Sequence, residues 1–252
     1  LTDADITHDN ESLLRLVAKA KVDRLDLVSL MARLRAESFW EKLLIPAFVF
    51  FFQKLYPFPW VNDPQKSTAA AAGGCMLVRR TALDRIGGVE VIRQHLIDDC
   101  KLASLLKIEG PIWLGLSNQV VSERCYNHLS EIWKMVARTA YEQLGNSFLT
   151  LIGTVVAMTI IYLVPPLTAA GILGDGPVEV AVGWLIWCVF MGIAFQPTLT
   201  FYRLSWAWCL LLPVSAFLYT LMTISSAVYY LLGREVLGKA VIIRPRFYYN
   251  EL

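Results

Sequence analysis

Two acidic groups set the chemistry open to this chain. The opening stretch "LTDADITHD" puts Asp3 and Asp5 one residue apart. On an extended strand, alternate residues share a face, so both carboxylates can turn toward one hard divalent cation. The alternative is a loop whose acids cap the helix that follows, with His8 and Asp9 as polar surface. Farther on, "HLIDDCKLASLLKIEG" puts Asp98 and Asp99 at the start of a helix. That helix carries Leu102, Leu105 and Leu106 on one face and ends at Gly110. The acidic pair suits proton transfer, or plain N-capping by Asp98. Two adjacent carboxylates repel, which raises one pKa, whereas a helix N-terminus lowers it. Gly73 and Gly74 follow four alanines. Residues this small let a backbone approach a ligand, or let a strand pack tightly on a helix. Arg79, Arg80 and Arg138 are guanidinium groups able to pair with phosphate, against a solvated role for the first two and a membrane-flanking role for Arg138.

The elements that must hold these groups fall into two halves. The chain has 252 residues, is 56% hydrophobic and has a mean hydropathy of +0.50. Soluble domains average about 45–50% apolar. The excess is uneven: from Leu144 to Leu232 the only charged residues are Asp175, Glu179 and Arg203. A polar half, 1–146, thus precedes a membrane half, 147–252. A net charge of +2, with no basic run interleaved with aromatics, argues against nucleic acid as a partner. Five cysteines without regular spacing fit reduced thiols and a cytosolic polar half.

Within the polar half, "NESLLRLVAKA" reads as a helix with Asn10 as cap and Leu13, Leu14 and Val17 on its apolar side. "RLDLVSLMARL" reads as a strand running into a helix. "FWEKLLIPAFVFFFQKLYPFPW" is flanked by Lys42 and Lys54 and ringed by Trp40, Tyr56 and Trp60. It is too short to span a bilayer, so it reads as an interfacial helix over about 39–56, or else as a buried core helix. A strand at "PIWLGLSNQVVSE" and a helix at "HLSEIWKMVARTAYEQLG" lead toward the membrane.

Three apolar spans follow, from Ser147 to a stop at Pro165-Pro166, from Val180 to Tyr202, and from Leu204 to Leu232. Each has the roughly 20 residues that cross a bilayer. Lys134, Arg138 and Arg203 put the polar half in the cytosol by the positive-inside rule. Three crossings would leave the basic tail, with Arg234, Lys239, Arg244 and Arg246, on the other side. Either the rule is overridden or one span is re-entrant.

The order of these parts resembles the membrane-bound family 2 glycosyltransferases. More narrowly, "LTDADITHD", "RAESFWEKLLIPAFVFFFQKLYPF", "TAAAAGGCMLVRR", "LIDDCKLA", "PIWLGL" and "MVARTAYEQL" resemble the hopene-associated glycosyltransferases of bacteria, over Leu1 to Thr223. The resemblance implies an α/β GT-A-like domain whose nucleotide-binding first half is missing here, followed by an all-α transmembrane region. Base-binding strands and a further membrane helix are then expected ahead of Leu1, and the piece alone is expected to be inactive. The implied activity is inverting transfer from a nucleotide sugar to a lipid acceptor, possible hopanoids included, at the cytosolic face of a bacterial inner membrane. The implied roles are a Mg²⁺ or Mn²⁺ ion on Asp3 and Asp5, Asp99 as base beside Asp98, and donor contacts from Gly73, Gly74, Arg79 and Arg138. Processive relatives carry Q/R-x-x-R-W before the membrane helices. Here Thr139 stands where that Trp would be, which argues against the alternative of a polysaccharide synthase. A non-catalytic membrane protein with a transferase-like domain is the remaining alternative.

Overall fold

A computed structural model of the chain describes residues 1–92 and 97–232. The basic tail lies outside the described residues. The polar half runs β1 (Ile6–His8), α1 (Ser12–Val22), β2 (Leu27–Arg33), α2 (Phe39–Leu55), α3 (Phe58–Asn62), β3 (Met76–Val78), α4 (Arg80–Arg85), α5 (Asp98–Glu109), β4 (Ile112–Ser122) and α6 (Leu129–Gln143). The membrane half has α7 (Phe148–Ala169), α8 (Pro177–Phe201), a 3₁₀ segment Trp206–Leu211 and α9 (Leu212–Leu231).

The four strands form one mixed sheet in the order β1-β4-β2-β3, with β2 parallel to β4 and the other pairs antiparallel. β2 is buried almost throughout, as a central strand covered on both faces must be. Contrary to the strand-into-helix expectation, it runs as strand to Arg33 and no helix begins before Phe39. Leu1 extends the sheet beyond β3. Its amino group donates to Met76 O, the Met76 N–H donates to Leu1 O, and Thr2 bridges Cys75.

The expected apolar face of α1 is overturned. Ser12 and Leu16 face the sheet, while Leu13 and Leu14 are exposed and Glu11, not Asn10, precedes the first turn. Successive helical residues are about 100° apart, so a helix seated through positions 12, 16 and 20 turns 13 and 14 away.

α2 opens with a capping box. The Glu41 N–H donates to Ser38 Oγ at 3.2 Å, and Glu41 Oε2 accepts the Ser38 N–H at 2.9 Å. The uncharged stretch of this helix is covered by protein: Leu44, Ile45, Ala47 and Val49 have no exposed surface. Ser215 Oγ and Tyr219 Oη of α9 donate to the carbonyls of Leu43 and Leu44. α6 leads by a turn at Gly145 and Asn146, both at positive φ, into α7.

α7 does not stop at Pro165-Pro166 but continues to Ala169. Proline lacks an N–H and crowds the carbonyl four residues back. The helix widens into π turns over Thr159–Leu163 just ahead of the prolines, which takes up that mismatch. α8 carries a similar π stretch at Leu185–Met191.

Candidate active site

α5 is seated by Leu102, Ala103 and Leu106, which are buried in one cluster with Leu27, Ile112 and Leu114 of the central strands. That packing fixes its acidic first turn. Asp99 Oδ2 accepts the Gly73 N–H at 2.8 Å and Oδ1 accepts the Cys100 N–H at 2.7 Å. Asp98 Oδ1 accepts the Asp99 N–H at 3.0 Å. A Cβ on Gly73 would stand 3.3 Å from Asp99 Oδ2, so glycine here serves close approach. Burial pushes the Asp99 carboxyl above the ordinary aspartate range and the Asp98 charge adds to it, against the N–H groups of Cys100 and Gly73. Burial and repulsion therefore outweigh the helix N-terminus.

Asp3 reaches the same place from the sheet edge. After Thr2 the chain turns, with the Ile6 N–H donating to Asp3 O at 3.3 Å. Asp3 and Asp5 are thus not alternate residues of one extended strand, as expected, because the turn separates them. Asp5 Oδ2 instead accepts Ser122 Oγ–H at 2.9 Å. The Asp3 carboxyl is pushed up by burial, then by the charges of Asp5 and Asp98, while Arg124 and Arg138 pull it down.

A cleft of about 430 Å³ joins these groups. Asp3, Glu90, Asp98, Asp99 and Gly73 line its polar side, and Val89, Ile92 and Leu102 its apolar side. Arg138, exposed on α6, bears electrostatically on Asp3. Arg124 does the same from the segment after β4, and its guanidinium lies 5.7 Å from the Tyr126 ring centre. No motif marked Arg124. Its one legible signal is its place directly beyond a long strand.

Three expected contacts lie elsewhere. Gly74 is outside the cleft lining; its carbonyl accepts Thr2 Oγ1–H at 2.8 Å, and a Cβ there would meet Ile6 at 3.2 Å. It therefore serves packing. Arg79 is held by Asp26, with Nε 3.1 Å from Oδ1. Arg80 pairs with Asp84 in solvent. Cys100, behind Asp99, is half-buried, and this burial with the Asp99 charge pushes its thiol up to about 12. Tyr56, at the end of α2, donates to Gln143 Oε1 of α6 at 2.5 Å and feels the charge of Asp99. Both helices that face the membrane half thus reach the acidic groups, α6 through Arg138 and α2 through Tyr56.

Among the described residues, no three His, Cys, Asp or Glu side chains form a ready-made metal cage. The donor set at the cleft is all hard oxygen, and its carboxylates repel one another. This fits a Mg²⁺ or Mn²⁺ ion that takes one or two protein carboxylates and completes its shell with substrate phosphate and water.

A sequence model of glycosyl transferase family 21 matches residues 1–230. The chain belongs to glycosyl transferase family 21. It is a glycosyltransferase, and the match does not reach as far as the narrower hopene-associated resemblance. Comparison with curated proteins and with solved structures gave no match. A family 21 enzyme needs a nucleotide-sugar donor and an acceptor. In this one the acids and the close-approach glycine converge on one cleft, and two arginines bear electrostatically on Asp3.

Proposed function

We propose that this family 21 protein transfers a sugar, with inversion, from a nucleotide sugar to the hydroxyl of a membrane lipid. The observation that carries this reading is the convergence of Asp3, Gly73, Asp98 and Asp99 on one cleft. The acceptor oxygen attacks the anomeric carbon, and its proton passes to Asp99. The bond from that carbon to the phosphate oxygen breaks, and the nucleoside diphosphate leaves with the electron pair. Asp99 is suited to the proton because burial and the Asp98 charge raise its proton affinity above that of an ordinary aspartate. A divalent cation held by Asp3, with Asp5 beside it, would neutralise charge on the diphosphate. Arg124 and Arg138 sit where they add to that neutralisation.

A lipid acceptor is supported by the family, which is ceramide glucosyltransferase-like, and by the three apolar helices long enough to cross a membrane. A hopanoid-related lipid belongs to the same broad class. The cytosolic face of a bacterial inner membrane is supported by Lys134, Arg138 and Arg203 flanking the spans and by five free thiols. The GT-A assignment rests on the resemblance, and the mixed four-stranded sheet supports it.

The test is incorporation of label from a panel of nucleotide sugars into lipid by membranes carrying the full-length protein, with and without chelator. Label should enter an organic-soluble lipid, stop on chelation and return with Mg²⁺ or Mn²⁺. Label entering a high-molecular-weight polymer, or full activity in chelator, contradicts the reading.

A further inference from the structure

By length and composition, three segments qualify to cross a bilayer: α7, α8, and the stretch Trp206–Leu231 that includes α9. Three successive crossings make the first and third run in the same direction. The contacts give the opposite. The first turn of α7 packs on the last turns of α9, where Leu151 and Ala227 share a cluster with Tyr141. The far part of α7 lies against the middle of α9, where the Phe51 ring meets both Tyr162 and Tyr219, at 5.5 and 5.3 Å between centres. α7 and α9 are therefore antiparallel.

The two ends of α9 say the same thing. Near its start, Ser215 Oγ donates to Leu43 O at the head of α2, 2.9 Å away. The preceding 3₁₀ segment puts Trp208 against Phe39, with ring centres 6.0 Å apart. Near its end, Ser226 Oγ accepts the Tyr141 N–H of α6 at 3.0 Å, and Tyr230 meets the Tyr141 ring at 5.3 Å. α2 and α6 share the same polarity. Glu41 at the head of α2 holds the Tyr126 N–H just before α6, and Tyr56 at its tail holds Gln143 at the end of α6. α9 therefore runs beside α6 from one end to the other. α6 shows Glu131, Lys134 and Arg138 to solvent, so it does not lie in hydrocarbon. The side of α9 left uncovered is apolar at Val214, Phe217, Ile224, Val228 and Leu231, one stripe at helical spacing.

We propose that α9 lies along the membrane and does not cross it: it is clamped to the polar half by α2 and α6 and turns the Val214–Leu231 stripe to lipid acyl chains. α9 then adds no crossing, and it ends on the side where α7 begins. Leu232 therefore lies on the same side as the polar half. This agrees with the positive-inside rule for a segment carrying Arg234, Lys239, Arg244 and Arg246. The proposal rests on helix direction and is independent of the reaction assigned to the cleft.

Thiol labelling in sealed vesicles of known orientation tests it. Cys125, exposed in the polar half, is the natural reference thiol. Leu232→Cys, in a Cys125→Ser chain of full length, is treated with a membrane-impermeant maleimide before and after lysis. It should follow Cys125, protected in right-side-out vesicles and labelled in inverted ones. Leu232→Cys labelled in right-side-out vesicles and protected in inverted ones overturns the proposal. Should the variant fail to accumulate, a green fluorescent protein fused after Leu232 reports the same side: fluorescence in bacterial cells supports the proposal, and its loss with the fusion inserted in the membrane contradicts it.

Discussion

Glu41 has no exposed surface, and its carboxylate accepts three backbone N–H groups, from Tyr126 at 2.7 Å and from Glu37 and Ser38 at 2.9 Å each. Burial alone would raise its pKa, but those three bonds and the Arg35 charge hold it below the ordinary range. Asp3 and Asp99 line an open cleft, and their pKa values are pushed up by burial and by carboxylate neighbours. A carboxylate saturated with donors pins α2 to the start of α6 and is a structural device. Carboxylates left short of donors and facing one another are poised to take a proton, a cation or both. The difference separates the joint of this molecule from its site.

Substitution at each place should separate the two roles. In the cleft, Asp99→Asn keeps the shape and removes the base, so transfer should fall by about 10²–10⁴-fold. Thermal stability should hold or rise, since an ionised carboxylate with a raised pKa is a cost to the fold at neutral pH. Label incorporation and a melting curve on the same preparation check both. At the joint, Glu41→Ala leaves three buried N–H groups without their acceptor and should cost on the order of 3 kcal/mol. Transfer per folded molecule should survive, and Glu41→Gln should restore part of the loss. The pH dependence has a definite sign. The folded pKa of Glu41 is depressed, so its contribution is present above the unfolded value and fades as pH falls through the folded one. Melting temperatures below pH about 4.3, where an unfolded glutamate titrates, should show the decline in the wild type and not in Glu41→Gln.

Smaller effects are expected from the neighbours of Asp99. Gly73→Ala sets a methyl 3.3 Å from Asp99 Oδ2. Displacing that carboxylate should cost about 1 kcal/mol, read as a several-fold lower transfer rate with unchanged expression. Asp98→Asn removes the lesser cause of the raised Asp99 pKa. Asp99 then stays ionised to lower pH, so the acid limb of the pH–rate profile should move toward acid. A limb that stays put would show that burial alone sets it.

Much of this was legible in the residues because the chemistry is local. Asp98-Asp99 ahead of Leu102 and Leu106 marks both a helix start and its buried face, and Gly73 after four alanines marks a close approach. The apolar spans declare themselves by length. What the residues hid depends on neighbours distant in the chain. Arg79 looks free until Asp26 is placed beside it, and Asp5 looks like a partner of Asp3 until the turn hands it to Ser122. Glu41 reads as one charge near an interfacial helix, whereas its role comes from Tyr126, 85 residues on. α9 reads as a crossing because hydropathy carries length without direction, and direction is set by Ser215 and Ser226 meeting opposite ends of the α2–α6 pair.

The acids at the opening of the chain and those at the head of α5 are held to act on one bound donor. A double-variant cycle in sugar transfer, with Asp3→Asn, Asp99→Asn and both together, tests this most directly. Groups that share a substrate in one cleft are coupled, so the pair should cost clearly less than the product of the single losses. Single losses that multiply without interaction, or wild-type transfer in Asp99→Asn, would contradict it.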